Sequence, residues 1–269
     1  MGININTKIL LSLASIAAAG ALVVGATFAF FSDSETSTGN TFKAGTLDLK
    51  VDSSCHYFQN EIDVGCGQGA EFGNWLQSDL TPGVHKFFNF NDIKPGDRGE
   101  DTVSLHVVDN DAWGRFVIKD VAASPDDDLR QALQFSVWLD QGTTKGFQCG
   151  STPACDADPQ EGDNVQQEQG EPTLITPGTV DAGGETHNIY DGLAGVYTAE
   201  SCTGDGVTIP LSCPGIAPDG RMIGSTSYYF GIAWKLPADT GNQVQGDSLS
   251  ATMEFQAVQS RNNPSKNGF

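Results

Sequence analysis

An all-β fold, a jelly-roll-like antiparallel β-sandwich, is what the 269-residue sequence predicts. Three observations carry that expectation. Apolar residues alternate with polar ones over several segments, Gly- and Pro-containing turn signals lie between or beside those segments, and helical periodicity is nearly absent. A period of two puts every second side chain on one face of a strand, so alternation marks sheets with one buried side. Several such strands without intervening helices favour two packed sheets, and a jelly roll suits a chain of this length.

The elements follow in order. In "GTLDLKV", Leu47, Leu49 and Val51 share a face, as do Val103, Leu105 and Val107 in "TVSLHVV". Phe116 and Ile118 do so in "GRFVIKDV", and Phe135, Val137 and Leu139 in "LQFSVWLD". The clearest runs come last: Tyr228, Phe230, Ile232, Trp234 and Leu236 in "TSYYFGIAWKLP", then Leu249, Ala251, Met253, Phe255 and Ala257 in "SLSATMEFQAV". Pro82-Gly83, Pro95-Gly96, Asp205-Gly206 and Asp219-Gly220 mark turns. Only "PDDDLRQAL" predicts a helical turn. Between residues 141 and 223 the alternation fades into Gly, Pro, Asp and Gln, with short apolar pieces such as "PTLI" and "GVTIPL" and four of the six cysteines. This predicts an elaborated insertion between core strands and not a second domain.

The N-terminus has the composition of a signal peptide. Lys8 is the one charged side chain before Asp33, residues 9–24 are apolar or small, and Thr27-Phe28-Ala29 places small residues on either side of a bulky one. Cleavage is expected after Ala29, leaving Phe30 as the first residue and no stable membrane span. An uncleaved anchor is the alternative, because the apolar run continues through Phe31 and approaches the roughly 20 residues that cross a bilayer. The expected organisation is a signal peptide at 1–29, an N-terminal segment at 30–41, one domain at 42–261 with its insertion at about 141–223, and a tail at 262–269 that reads as too polar to fold.

The chain is strongly acidic, with 34 Asp and Glu against 14 Lys and Arg and a net charge of −20. Such a balance argues against nucleic acid and anionic membrane surfaces as partners and favours cations as counter-species. All six cysteines follow the expected cut, which implies an oxidising compartment and disulfides. Neighbouring pairs are expected, Cys55 with Cys66, Cys149 with Cys155 and Cys202 with Cys213, although spacing leaves other connectivities open. None has the CxxC spacing of a zinc site.

Catalytic motifs are missing. The four histidines, His56, His85, His106 and His187, form no HExxH, and there is no GxSxG. No catalytic residue and no cofactor are assigned on this basis. The loop "CDADPQEGDN" offers Asp156, Asp158, Glu161 and Asp163 as hard oxygen ligands for calcium. It does not meet the EF-hand pattern, and a solvated acidic loop is the simpler reading of a charge run.

The stretch "ATFAFFSDSETSTGNTFKAGTLDL" resembles the junction between signal peptide and mature chain in the TasA and camelysin-like (CalY) family of exported proteins, which has archaeal relatives that form bundling pili. The resemblance rests on Thr27-Phe28-Ala29, on the aromatic-polar start Phe30-Phe31-Ser32-Asp33, and on Phe42 and Ala44 to Leu49 as first core strand. "FNFNDIKPGDRGEDTVSLHVVDND", with its turn at Lys94 to Asp97 and corner at Asp109 to Asp111, and the C-terminal hairpin from Trp234 support it. The resemblance implies a non-enzymatic subunit that polymerises with itself outside the cell after a signal peptidase has acted. It also implies that Phe30, Phe31, Ser32, Asp33, Ser34, Glu35, Thr36, Ser37 and Thr38 lie as a donor strand in the sheet of the next subunit. A cell-surface metalloprotease, the activity for which camelysin is named, and a monomeric surface adhesin are the competing expectations.

Overall fold

A computed structural model describes residues 32–38, 47–66, 73–81, 83–90, 92–147, 158–167, 171–197, 202 and 213–269. Eleven strands occur among them: β1 (Ser32–Thr38), β2 (Asp48–Gln59), β3 (Ile62–Asp63), β4 (Asn74–Ser78), β5 (Arg98–Val108), β6 (Ala112–Ser124), β7 (Gln134–Leu139), β8 (Thr173–Gly178), β9 (Glu185–Asn188), β10 (Thr226–Lys235) and β11 (Ser248–Gln259). Two short helices, α1 (Asp128–Ala132) and α2 (Ile189–Val196), complete the set. The strands form a four-stranded sheet in the order β1-β11-β6-β9 and a seven-stranded sheet in the order β3-β2-β5-β10-β7-β8, with β4 also on β2. Every pairing is antiparallel.

The alternation read from the sequence is the parity of burial. On β10, Tyr228, Phe230 and Ile232 are fully buried, and Phe230 meets Phe255 of β11 at 5.3 Å between ring centroids. Phe255 in turn lies 5.0 Å from Phe116 of β6, so the two sheets face each other across an aromatic core. Burying each such side chain stabilises the fold by about 1.5–3 kcal/mol.

The Lys-Pro-Gly-Asp turn has a physical reason for each end. Asp97, 4 % exposed, accepts from the Lys94 N–H at 2.8 Å and from the Tyr57 hydroxyl at 2.7 Å. Gly96 adopts a φ of 95°, a left-handed conformation that favours glycine, and its N–H bonds Leu236 O at 2.8 Å. Burial, then the bond to Asp97, pushes the Tyr57 phenol up to about 12. At the Asn-Asp corner, Asp111 accepts from Gly224 N–H at 3.0 Å and from Arg221 Nε at 2.9 Å, fastening the β5–β6 connection to the approach of β10.

Three expectations need correction or extension. The segment at 141–223 is not only loop: it supplies β8 to the edge of one sheet and β9 to the edge of the other, and α2 buries Ile189, Leu193 and Val196 in the common core. Helix α2 carries Gly192 and Gly195, poor helix formers, which hid it; a Cβ at Gly192 would lie 2.5 Å from Leu174 Cδ2. The tail after Arg261 is docked, against the expectation drawn from its polarity. Asn263 O accepts the Trp113 indole N–H at 2.8 Å, and Lys266 Nζ lies 4.5 Å and 4.3 Å from the ring centroids of Trp113 and Tyr190. Polar residues hold this tail by capping aromatic rings, a mode that hydrophobicity alone does not signal.

Asp97→Ala is expected to lower unfolding free energy by about 1–3 kcal/mol, because it takes the acceptor from the Tyr57 O–H and from the Lys94 turn amide. Urea denaturation of the variant against the parent measures this.

Candidate functional site: the N-terminal strand and the sheet edge it occupies

β1 is the outermost strand of its sheet and pairs with β11 from Ser32↔Val258 to Thr38↔Thr252 without a register shift. Seven consecutive pairs supply a ladder in which both strands satisfy backbone donors and acceptors. Ser and Thr dominate β1, and β-branched Thr suits an extended backbone. The chain crosses from this sheet to the other between Thr38 and Asp48, where β2 begins. Among the described residues, β1 is held chiefly by its pairing with β11.

The sequence places this segment as a donor in a neighbour's sheet; within one chain, Ser32–Thr38 pairs with its own β11. The physical reason is that β11 presents an unpaired edge within reach of the same chain, and a strand joined to that edge has the advantage of proximity. Phe30, Phe31 and the expected cleavage point after Ala29 lie outside the described residues.

β11 is a well-anchored partner. On its other side it pairs with β6 along its length, interrupted by one irregularity between Ser250 and Thr252. On the face away from the core, Glu254 is 3 % exposed and its carboxylate lies 2.5 Å from Lys119 Nζ, while Arg115 donates to the Gln256 side chain. Burial draws the Arg115 guanidinium below its ordinary value. These cross-strand pairs fix β11 to β6 independently of β1.

The other candidate residues fall elsewhere. Disulfides join Cys55 to Cys66, with Cα atoms 5.8 Å apart, and Cys202 to Cys213, at 5.4 Å. Cys149 and Cys155 lie outside the described residues, as does Asp156. Asp158 is 8 % exposed and spends its carboxylate on the chain itself, accepting from Thr143 Oγ1 at 2.9 Å, Thr144 N–H at 2.7 Å and Gln160 N–H at 3.0 Å. Asp163 accepts from Val165 N–H at 2.9 Å and from the Gln167 amide at 3.1 Å. These carboxylates organise turns, and among the described residues no group of three or more His, Cys, Asp or Glu side chains is placed to hold a metal ion, Glu161 included.

The histidines are dispersed in the same way. His56 pairs with Asp63 at 2.7 Å, His85 Nδ1 accepts from Thr81 N–H at 2.7 Å, and His187 pairs with Glu185 at 2.8 Å. His106 has a more suggestive setting, with Asp52 at 2.6 Å from Nε2 and the Ser227 hydroxyl at 2.5 Å from Nδ1. The three lie on adjacent strands β2, β5 and β10 on the face away from the core, an arrangement that motif searching missed because no local spacing encodes it. Ser227 is 2 % exposed, so its hydroxyl is closed to a substrate and the array works as a cross-strand hydrogen-bond ladder.

Among known proteins, the family model described as camelysin metallo-endopeptidase matches residues 4–65. The resemblance seen at Thr27 to Leu49 is therefore found at the level of the family, over the N-terminal region that ends with β2 and β3. No curated protein matches the chain. The described residues do not assemble the metal centre that the family's description implies. No helix among them is long and apolar enough to cross a membrane.

Removing residues 30–41 is expected to speed amide exchange in the β11 peptide 248–259 by about tenfold at the amides that faced β1, given roughly 0.5–1.5 kcal/mol per lost hydrogen bond. Exchange in β10 is expected to be unchanged, and mass spectrometry of both peptides provides the comparison.

Proposed function

We propose that this chain is a structural subunit of an extracellular filament, and that copies join head-to-tail by exchanging Ser32–Thr38 onto the β11 edge of a neighbour. The observation that supports this reading is the placement of β1: an edge strand that pairs with β11 in uninterrupted register. A neighbour's copy of the same segment would form the same seven pairs, so the exchange conserves hydrogen bonds. The family match over residues 4–65 and the signal-peptide composition of residues 1–29 fit export before assembly.

Energetics decide when exchange wins. Covalent connection holds β1 beside its own β11 at an effective concentration of about 1 mM, so pairing within the chain prevails in dilute solution. Crowding at a surface, or new burial in the joined state, shifts the balance. Phe30 and Phe31 at the expected new terminus are suited to this, since burying each is worth about 1.5–3 kcal/mol.

The reading predicts that protein beginning at Phe30 elongates with a concentration threshold, and that a version lacking residues 30–41 stays folded and monomeric. Negative-stain microscopy and light scattering of both test it; normal filaments from the truncated form would overturn it. A second reading, a surface metallo-endopeptidase, is favoured by the description of the matching family. It predicts casein digestion by the purified protein that a chelator abolishes.

A further inference from the structure

The exit of β7 contains two acidic side chains that neither the strand edge nor the array around His106 uses. Asp140 is fully buried, and Glu171 is 8 % exposed. Asp140 accepts from the N–H groups of Gly162 at 3.1 Å and Asn164 at 2.8 Å. Glu171 accepts from the N–H groups of Gly142 at 2.7 Å and Gln167 at 2.8 Å. Each carboxyl is also among the groups that act on the other electrostatically, which puts the two side by side. Four backbone amides from segments 141–147 and 158–167 thus converge on one carboxyl pair. Segment 158–167 packs over the outer face of the seven-stranded sheet, with Gly162 against the Tyr229 ring and its carbonyl 3.5 Å from Thr102 Oγ1.

We propose that Asp140 and Glu171 form a proton-sharing latch that closes segment 158–167 over the outer face of β5 and β10 and releases it when the shared proton is lost. In the closed state Glu171 carries the proton and donates it to the Asp140 carboxylate. Losing that proton leaves two adjacent buried anions, and their repulsion is relieved when Gly162, Asn164 and Gln167 swing away.

The electrostatics agree with the geometry. Burial above all lifts Asp140 to about 6 and Glu171 to about 8, as the coupled pair. The groups facing the pair add to this. Asp163 of the covering segment raises Asp140 further, and Glu100 of β5 is also influenced by Asp163. Asp158 and Glu161 belong to the same segment, and Tyr229 of β10, whose carbonyl accepts the Asp140 N–H at 2.9 Å, is itself raised by burial and by Glu161. Segment 141–147 contributes one base, Lys145. Folded-state values raised above those of the free acids mean that the closed state binds more protons than the open one. Closure is therefore strongest below the ordinary carboxylate range and is lost as pH rises through about 6 to 8.

The test is subtilisin cleavage within residues 158–167 of the intact protein between pH 5.5 and 9, read by mass spectrometry and normalised to an unstructured peptide substrate. The parent is expected to open more readily with rising pH, approaching about tenfold per pH unit for one proton. Glu171→Gln, which keeps a donor for Asp140 but gives up one of the two oxygens that accept the Gly142 and Gln167 amides, removes the titrating proton and is expected to lose most of that slope, whatever its baseline opening. Asp140→Asn supplies the same comparison should Glu171→Gln fail to fold. An infrared difference spectrum at pH 7 between parent and Glu171→Gln is expected to show the carbonyl band of a protonated acid in the parent alone. A flat parent profile, an equally steep profile in the variants, or no such band overturns the latch. Closure restored at pH 9 by added calcium also overturns it, in favour of a cation site.

Discussion

The pairing of β1 with β11 ties the beginning of the described chain to its last strand. The central strands of the two sheets are fixed by core side chains: Phe255 and Ala257 on β11 itself, Phe116 and Ile118 on β6, Tyr228, Phe230 and Ile232 on β10. β11 is held by β6 and by the ion pair of Lys119 with Glu254, apart from its contact with β1. Under the proposed exchange, the edge completed by a short, polar strand is the contact that changes partner. Its hydrogen bonds differ little in strength between one partner and another, so covalent tethering and concentration decide which partner is used. An unpaired edge is a template for association, and natural proteins normally block such edges. Here the blocking strand is a piece of the chain that an identical copy could replace.

Much of the fold was legible because burial is largely one-sided in these strands. Alternation over Leu47 to Val51, Val103 to Val107 and Tyr228 to Leu236 marks core parity wherever one face meets the opposite sheet and the other meets water. The same rule fails where a polar group sits on the buried parity. Asp101 of β5 is fully buried among apolar neighbours, held by the Ser53 hydroxyl at 2.7 Å, and its burial raises its carboxyl well above the usual range. Nothing local marks it, since its partner is 48 residues away in sequence. Helix α2 and the docked tail escaped for related reasons: glycines that make room for Leu174, and lysine and asparagine that cap Trp113 and Tyr190, act through tertiary contacts that a linear pattern does not contain.

The candidate site divides in the same way. The composition of Ser32–Thr38 signals an extended strand, but the choice between its own sheet and another's depends on distance and concentration, which sequence does not encode. The acidic run around Asp158 suggests ligands for a cation, yet Asp158 and Asp163 are used to receive amides from their own turns. Conversely, Asp140 and Glu171 are separated by 31 positions and have no motif, and folding alone brings them together.

The insertion also changes how the acidity of the chain should be understood. Surface carboxylates repel one another weakly through water and salt, so a net charge of −20 is compatible with a stable fold while they remain solvated. Buried carboxyls are different, because an anion without a counter-charge is costly and a shared proton removes much of that cost. Asp140 and Glu171 occupy such a position with backbone amides as their other partners, and desolvation is the largest cause of both shifts. The segment between them is then held most firmly in acidic surroundings, while the strand contact of β1 and β11 is built from backbone groups that do not titrate. Under the two proposals, different variables govern the two pieces of the molecule, proton activity the covering segment and concentration the terminal strand. A shift in one need not disturb the other.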